Sequence, residues 1–328
     1  MKKLLIVLGL ALLFATGFSQ TPTPVEIEEW LVPYESSRPR DPYVDNLGRV
    51  WFCGQSGNYI AYFEPDTGEF TRYELDANTN PHNLIVDDDG FVWYAGNRNA
   101  HIGKLDPDTG EVVRFDMPDP KATDPHTLVF GTNNDIWFTV QNGNFVGRLE
   151  MTTGEVQLIE VPTSNARPYG IKSTPENRPW IVLLGTNKLA TVDPNTLELQ
   201  EISLPRADAR PRRLEITNNG NIWYVDYAGG YLGRYTPSTG DFQEWLMPGG
   251  TGSRPYGTAL DHLGRLWIAA TGSQPNLFVG FDPTTESFFY ETVVPSGGQV
   301  RHMYFHPKTN EIWFGVDTNY LARAEVTE

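Results

Sequence analysis

The sequence has one cysteine, Cys53, in 328 residues. An intramolecular disulfide is therefore excluded, and buried side chains alone must hold the fold. No segment of useful length carries a helical period of apolar residues. Beyond residue 20 no apolar run is long enough to cross a bilayer. Positive charge is scarce: 25 Lys and Arg face 41 Asp and Glu, a formal net charge of −16. That balance argues against nucleic acid as a partner, since its binding needs concentrated basic charge. An anionic membrane surface is disfavoured for the same reason. Also absent are a Gly-x-Ser-x-Gly elbow, a phosphate loop, a Cys-x-x-Cys pair and a His-Glu-x-x-His pair.

What is present starts with a leader pattern. Lys2 and Lys3 precede an apolar run from Leu4 to Phe14, and Ala15 to Gln20 form a small or polar exit. Residues 1–20 read as a cleavable signal peptide, with no Cys after the run for a lipid anchor. The expectation is a mature chain, residues 21–328, that is soluble in the periplasm or outside the cell, with no membrane insertion after cleavage.

An internal repeat decides the fold. Trp51, Trp93, Trp137, Trp180, Trp223, Trp267 and Trp313 recur at gaps of 42, 44, 43, 43, 44 and 46 residues. Twelve residues before six of them stands a proline: Pro39, Pro81, Pro125, Pro168, Pro211 and Pro255; the seventh unit has Arg301 there. Each unit reads as four short strands rich in β-branched and aromatic residues, bounded by Gly, Asn, Asp and Pro. Segments such as Asp106-Pro107-Asp108-Thr109-Gly110 read as hairpin turns rather than calcium loops. Four strands in 40 to 50 residues is the pattern of a propeller blade. The expected fold is all-β, one seven-bladed β-propeller. The outer-strand pattern of Phe242 to Pro248 reappears at Val25 to Pro33, while the last unit reaches Glu328 after three strands. The N-terminal strand should therefore complete the last blade. Cys53, two residues past a repeat Trp, reads as a buried free thiol.

Strand one and strand two of each blade meet at one rim of the tunnel. The residues eleven before each Trp are Arg40, His82, His126, Tyr169, Arg212, Tyr256 and His302, which include three of the six histidines. The residues four after are Gln55, Asn97, Gln141, Leu184, Tyr227, Thr271 and Asp317, with Asp226 adjacent. A structural position repeats one residue type, as the Trp does; these positions vary among bulky polar, aromatic and ionisable groups. Such groups in a concave mouth are what a small-molecule site contains. A small-molecule or peptide-like ligand is expected there, with Arg40 and Arg212 suited to an anion.

Two stretches carry a family resemblance: residues 135–148, DIWFTVQNGNFVGR, and residues 164–171, SNARPYGI. With the Pro-His start and the Asp-x-x-Gly turn, the chain resembles the streptogramin lyase (virginiamycin B lyase-like) propellers over its whole mature length. The resemblance implies a Mg²⁺-assisted carbon–oxygen elimination that opens a cyclic depsipeptide. It implies a catalytic base at His302 and a metal-binding carboxylate at Asp317. The family's Glu two residues before that His falls on Val300, and a second His falls on Tyr256. In this reading Arg40, His82, His126, Tyr169, Arg212 and Tyr256 bind substrate. The competing expectation is a non-catalytic ligand- or protein-binding propeller with a degenerate lyase site. A calcium-dependent lactonase ranks last, because only Asn97, Asp317 and the nearby Asp226 could serve it.

Overall fold

A computed structural model describes residues 25–326 of the chain; the expected leader at residues 1–20 lies outside them. The chain forms seven four-stranded antiparallel sheets. Each inner strand packs against the inner strands of two neighbours, and the seventh closes on the first, so the sheets are blades about a central tunnel. Among the described residues the only helical turn is Gly250–Gly252, and no helix is long and apolar enough to cross a membrane.

The N-terminal strand closes the ring. Ile27–Leu31 pairs antiparallel with Tyr320–Glu325, with Ile27 opposite Ala324 and Leu31 opposite Tyr320. Blade 7 thus joins both ends of the described chain. Trp30 stacks on Trp313 at 5.4 Å and meets Phe63 of blade 1 at 5.1 Å.

The core lies between blades. Trp51 and Cys53 of blade 1 share a cluster with Leu84, Val86 and Tyr94 of blade 2, and equivalent clusters fill the other interfaces. Fully burying one large apolar side chain is worth about 1.5–3 kcal/mol. The thiol of Cys53 is buried and its pKa is pushed well up by that burial.

In blades 1, 2 and 6 an aspartate holds the Trp hairpin in shape. Asp45 Oδ1 accepts the backbone N–H groups of Leu47 and Arg49, each at 2.9 Å, and its Oδ2 accepts the Trp51 indole N–H at 2.8 Å. Asp261 repeats this with Leu263, Arg265 and Trp267. The turn needs a left-handed residue, supplied by Gly48 at φ 82° and Gly264 at φ 78°. Asp87 does the same work for Phe91 and Trp93.

Candidate functional site

Every inner strand opens with a β-bulge. In blade 2, Pro81 pairs with Gly96 and Leu84 with Tyr94, so His82 and Asn83 together face a single residue of the second strand. A bulge of this kind re-aims side chains. Repeated seven times, it gives the tunnel two polar layers, one residue apart in sequence.

The upper layer is the mouth. It contains Arg40, His82, His126, Tyr169, Arg212 and Tyr256, the six rim residues read from sequence in blades 1 to 6, and all line one cavity of about 850 Å³. The seventh member is Arg301. In blade 7 the partner of Trp313 is Tyr304, nine residues earlier; elsewhere the partner stands eight residues earlier, as Ile85 does for Trp93. The hairpin of blade 7 is longer by one residue. Val300 therefore takes the place of the six prolines, Arg301 takes the rim, and His302 sits one layer lower.

The lower layer plugs the tunnel. Arg213 reaches from blade 5 to Asp41 Oδ2 of blade 1 at 3.4 Å and to Thr127 Oγ1 of blade 3 at 3.1 Å. Asp41 also accepts Arg40 Nε at 2.9 Å and Asn83 Nδ2 at 3.0 Å. Blades 4 and 6 carry glycine at this level. A Cβ on Gly170 would stand 2.9 Å from the Arg212 carbonyl oxygen, so the plug needs that space. Burial opposes the charge on Asp41, but Arg40, His302 and Arg213 outweigh it and hold its carboxyl well below the usual range. His302 is part of the plug. Burial first, and then Arg213 against an opposing Asp41, bring its imidazole down to about 3, and its Nδ1 has no hydrogen-bond partner.

The mouth is an aromatic arc set among guanidinium groups. The rings of His82 and His126 lie 3.6 Å apart, and His126 lies 4.1 Å from Tyr169. The Tyr169 and Tyr256 hydroxyls share a short hydrogen bond. Arg212 covers the ring of Tyr256 at 3.7 Å and that of Tyr227 at 4.3 Å. Burial, then the Arg40 charge, keep the His82 imidazole neutral; burial and Arg213 do so for His126. For Tyr256 burial resists ionisation, yet Arg212, Arg40, Arg213 and Arg301 prevail and bring the phenol down to about 8.

The cavity is strongly cationic although the chain is acidic. Arg38, Arg40, Arg98, Arg167, Arg210, Arg212 and Arg301 line it, against one carboxylate, Asp124. Asp124 is saturated by the backbone N–H groups of Asn142 and Gly143 and by the Asn142 amide. Five of these arginines were not read from the sequence as site residues: Arg38, Arg98, Arg167, Arg210 and Arg301. A signal existed for three of them. Arg-Pro recurs at Arg38-Pro39, Arg167-Pro168, Arg210-Pro211 and Arg254-Pro255, always thirteen residues before the Trp. Arg98 has no such repeat. Gln55, Asn97, Gln141, Leu184 and Tyr227 line the cavity too, whereas Thr271 and Asp317 do not. Asp226 instead holds Arg206 and the Arg210 backbone N–H.

The family model for the virginiamycin B lyase family matches residues 16–274. The chain belongs to the virginiamycin B lyase family. No curated protein matches it significantly. Among solved structures, virginiamycin B lyase from Staphylococcus aureus is similar at 23% identity and a TM-score of 0.83, covering 92% of this chain and 100% of that one. A streptogramin B lyase is similar at 24% identity and a TM-score of 0.84, covering 94% and 100%. YCF48 bound to D1 peptide has the same fold at 12% identity and a TM-score of 0.74, covering 94% and 97%. At these identities the likeness speaks to the fold.

The family match stops before the inner strand of blade 7, Val300–His306. Counted by strand register, the Glu-Pro-His start implied by the virginiamycin B lyase resemblance falls on Gln299, Val300 and Arg301. Asp317 is held at both oxygens by Arg301, at 3.1 and 2.6 Å, with Arg38 at 3.6 Å. Among the described residues no three His, Cys, Asp or Glu side chains gather as a metal site. The donors present do not fit Mg²⁺: the one family carboxylate position is neutralised by arginine, and the surrounding charge repels a cation.

Proposed function

We propose that this protein is an anion-binding propeller of the virginiamycin B lyase family, with a degenerate elimination centre. One observation carries the reading: seven arginines and one saturated carboxylate line the mouth of a chain whose net charge is −16. Charge so concentrated against the overall balance serves a ligand of opposite sign. Guanidinium forks match the planar oxygens of carboxylates and the oxygens of phosphates. The leader pattern at residues 1–20 makes the periplasm or the cell exterior the place of action.

Elimination needs a base with a pKa near the working pH. The imidazole of His302 falls at about 3 and lies beneath the mouth, which disfavours it in that role. Lyase activity is the alternative that family membership keeps in view. Incubation with a streptogramin B and Mg²⁺, followed by mass spectrometry, separates the two. The expected result is intact cyclic substrate, together with citrate binding by calorimetry. A linear product lost in His302→Ala would overturn the binding reading.

A further inference from the structure

The mouth has arginines at two heights, and they differ in what they lack. On the floor, Arg40 is 4% exposed. Its Nε and Nη1 are taken by Asp41 and Gln55, while its Nη2 has no partner. The Arg212 Nε is also without one. A buried donor left unpaired is costly, and an incoming acceptor removes the cost. Tyr169, Tyr256 and His126 wall this seat with ring faces.

At the rim the backbone itself is informative. Arg38, Arg167 and Arg254 adopt left-handed φ values of 50°, 54° and 45°. Glycine and asparagine take that conformation most readily, and Asn80 holds the same place in blade 2 at φ 48°. Arginine is a poor choice for the turn alone, so its charge is the reason for its presence. Arg98 and Arg167 are exposed, and neither guanidinium forms an ion pair or hydrogen bond among the described residues. Arg167 stands two residues before Tyr169, just ahead of the inner strand Pro168–Ser173, so it lies on the solvent side of the floor.

We propose that the mouth takes an oligo-anion, seating one anionic group on the floor against Arg40 and Arg212 and further groups at the rim against Arg98 and Arg167. The inference rests on the anion-binding reading and adds a two-level specificity to it. A cavity of about 850 Å³ is large for a lone carboxylate or phosphate and suits a ligand that spans both levels. Carboxylate and phosphate share the required oxygens, so both belong in the test.

The experiment is calorimetry on the full-length protein with acetate and inorganic phosphate as single anions, and citrate and triphosphate as oligo-anions. The expected result is at least tenfold tighter binding of an oligo-anion than of its single-anion counterpart. Arg98→Ala with Arg167→Ala, two exposed positions, should erase that preference, lowering oligo-anion affinity at least tenfold and single-anion affinity by much less. Arg212→Met should weaken every anion, with circular dichroism confirming the fold. Equal affinity for single and oligo-anions, or a preference that survives the rim double variant, overturns the two-level proposal alone. Binding of none of the four overturns the anion-binding reading beneath it.

Discussion

At the scale of single residues, the behaviour of the mouth depends on a phenol. Tyr256 is buried and bonded to Tyr169, and the guanidinium groups around it bring its ionisation to about 8. Tyr169 moves the opposite way, raised first by burial and then by the Tyr256 charge, so the pair loses one proton and not two. Below pH 8 the floor is neutral at the phenols and positive at Arg40 and Arg212. Above it, a phenolate stands against Arg212 and competes with any incoming anion. Citrate affinity should therefore hold below about pH 7 and fall as pH rises through 8, by up to about tenfold per unit. Tyr256→Phe should abolish the fall, and phenolate absorbance should show the wild-type ionisation without ligand. A flat affinity in wild type up to pH 10 would count against the assignment. A second residue-scale effect belongs to the turn carboxylates. Asp261→Ala strips acceptors from Trp267 and from two backbone N–H groups. The expected loss is about 2 kcal/mol in denaturant unfolding.

At the scale of the strand and the blade, register decides what the tunnel contains. The fold was legible because Trp recurs in every blade, Pro at the start of six inner strands and the Asp-x-x-Gly turn in blades 1, 2 and 6, each with a physical task. Trp fills an interface, Asp caps its hairpin, and Gly supplies the left-handed turn. The mouth was legible in six blades because their hairpins are equally long. In blade 7 the interval widens to 46 residues, and the extra residue lies inside the hairpin between Tyr304 and Trp313. Counting back from Trp313 therefore lands on His302, whereas the strand ladder brings Arg301 to the rim. Nothing in the interval alone says which turn took the insertion. Arg38, Arg167 and Arg210 were hidden for another reason: they precede the repeated proline at a position that varies among Arg, Asn and Asp, so they look like loop. Closure of the ring was readable from the outer-strand pattern, and it carries a prediction. Trp30→Ala removes a ring stacked on Trp313 and packed on Phe63. It should cost about 3 kcal/mol, and removing residues 25–32 should abolish cooperative unfolding. A melting temperature unchanged by the truncation would contradict closure by this strand.

At the scale of the whole molecule, charge is sorted between the two faces. The hairpins opposite the mouth gather Asp45, Asp87, Asp88, Asp89, Asp106 and Asp108 around one hollow, while arginine lines the mouth. The net charge of −16 alone would repel an anion. The separation of sign creates a field that turns an approaching anion toward one end of the tunnel. Two parts of the binding free energy should then respond differently to salt. Steering acts through solvent, and its range shrinks from about 30 Å at 0.01 M to about 3 Å at 1 M ionic strength. The contact of an anion with Arg40 on the floor is shielded from solvent and is screened less. Citrate association should therefore slow by on the order of tenfold across that range, while dissociation changes by much less. Stopped-flow kinetics at several salt concentrations separates the two rates. If association were indifferent to salt and only dissociation responded, the arginines would be acting one by one at contact, and the segregation of charge across the propeller would have no part in binding.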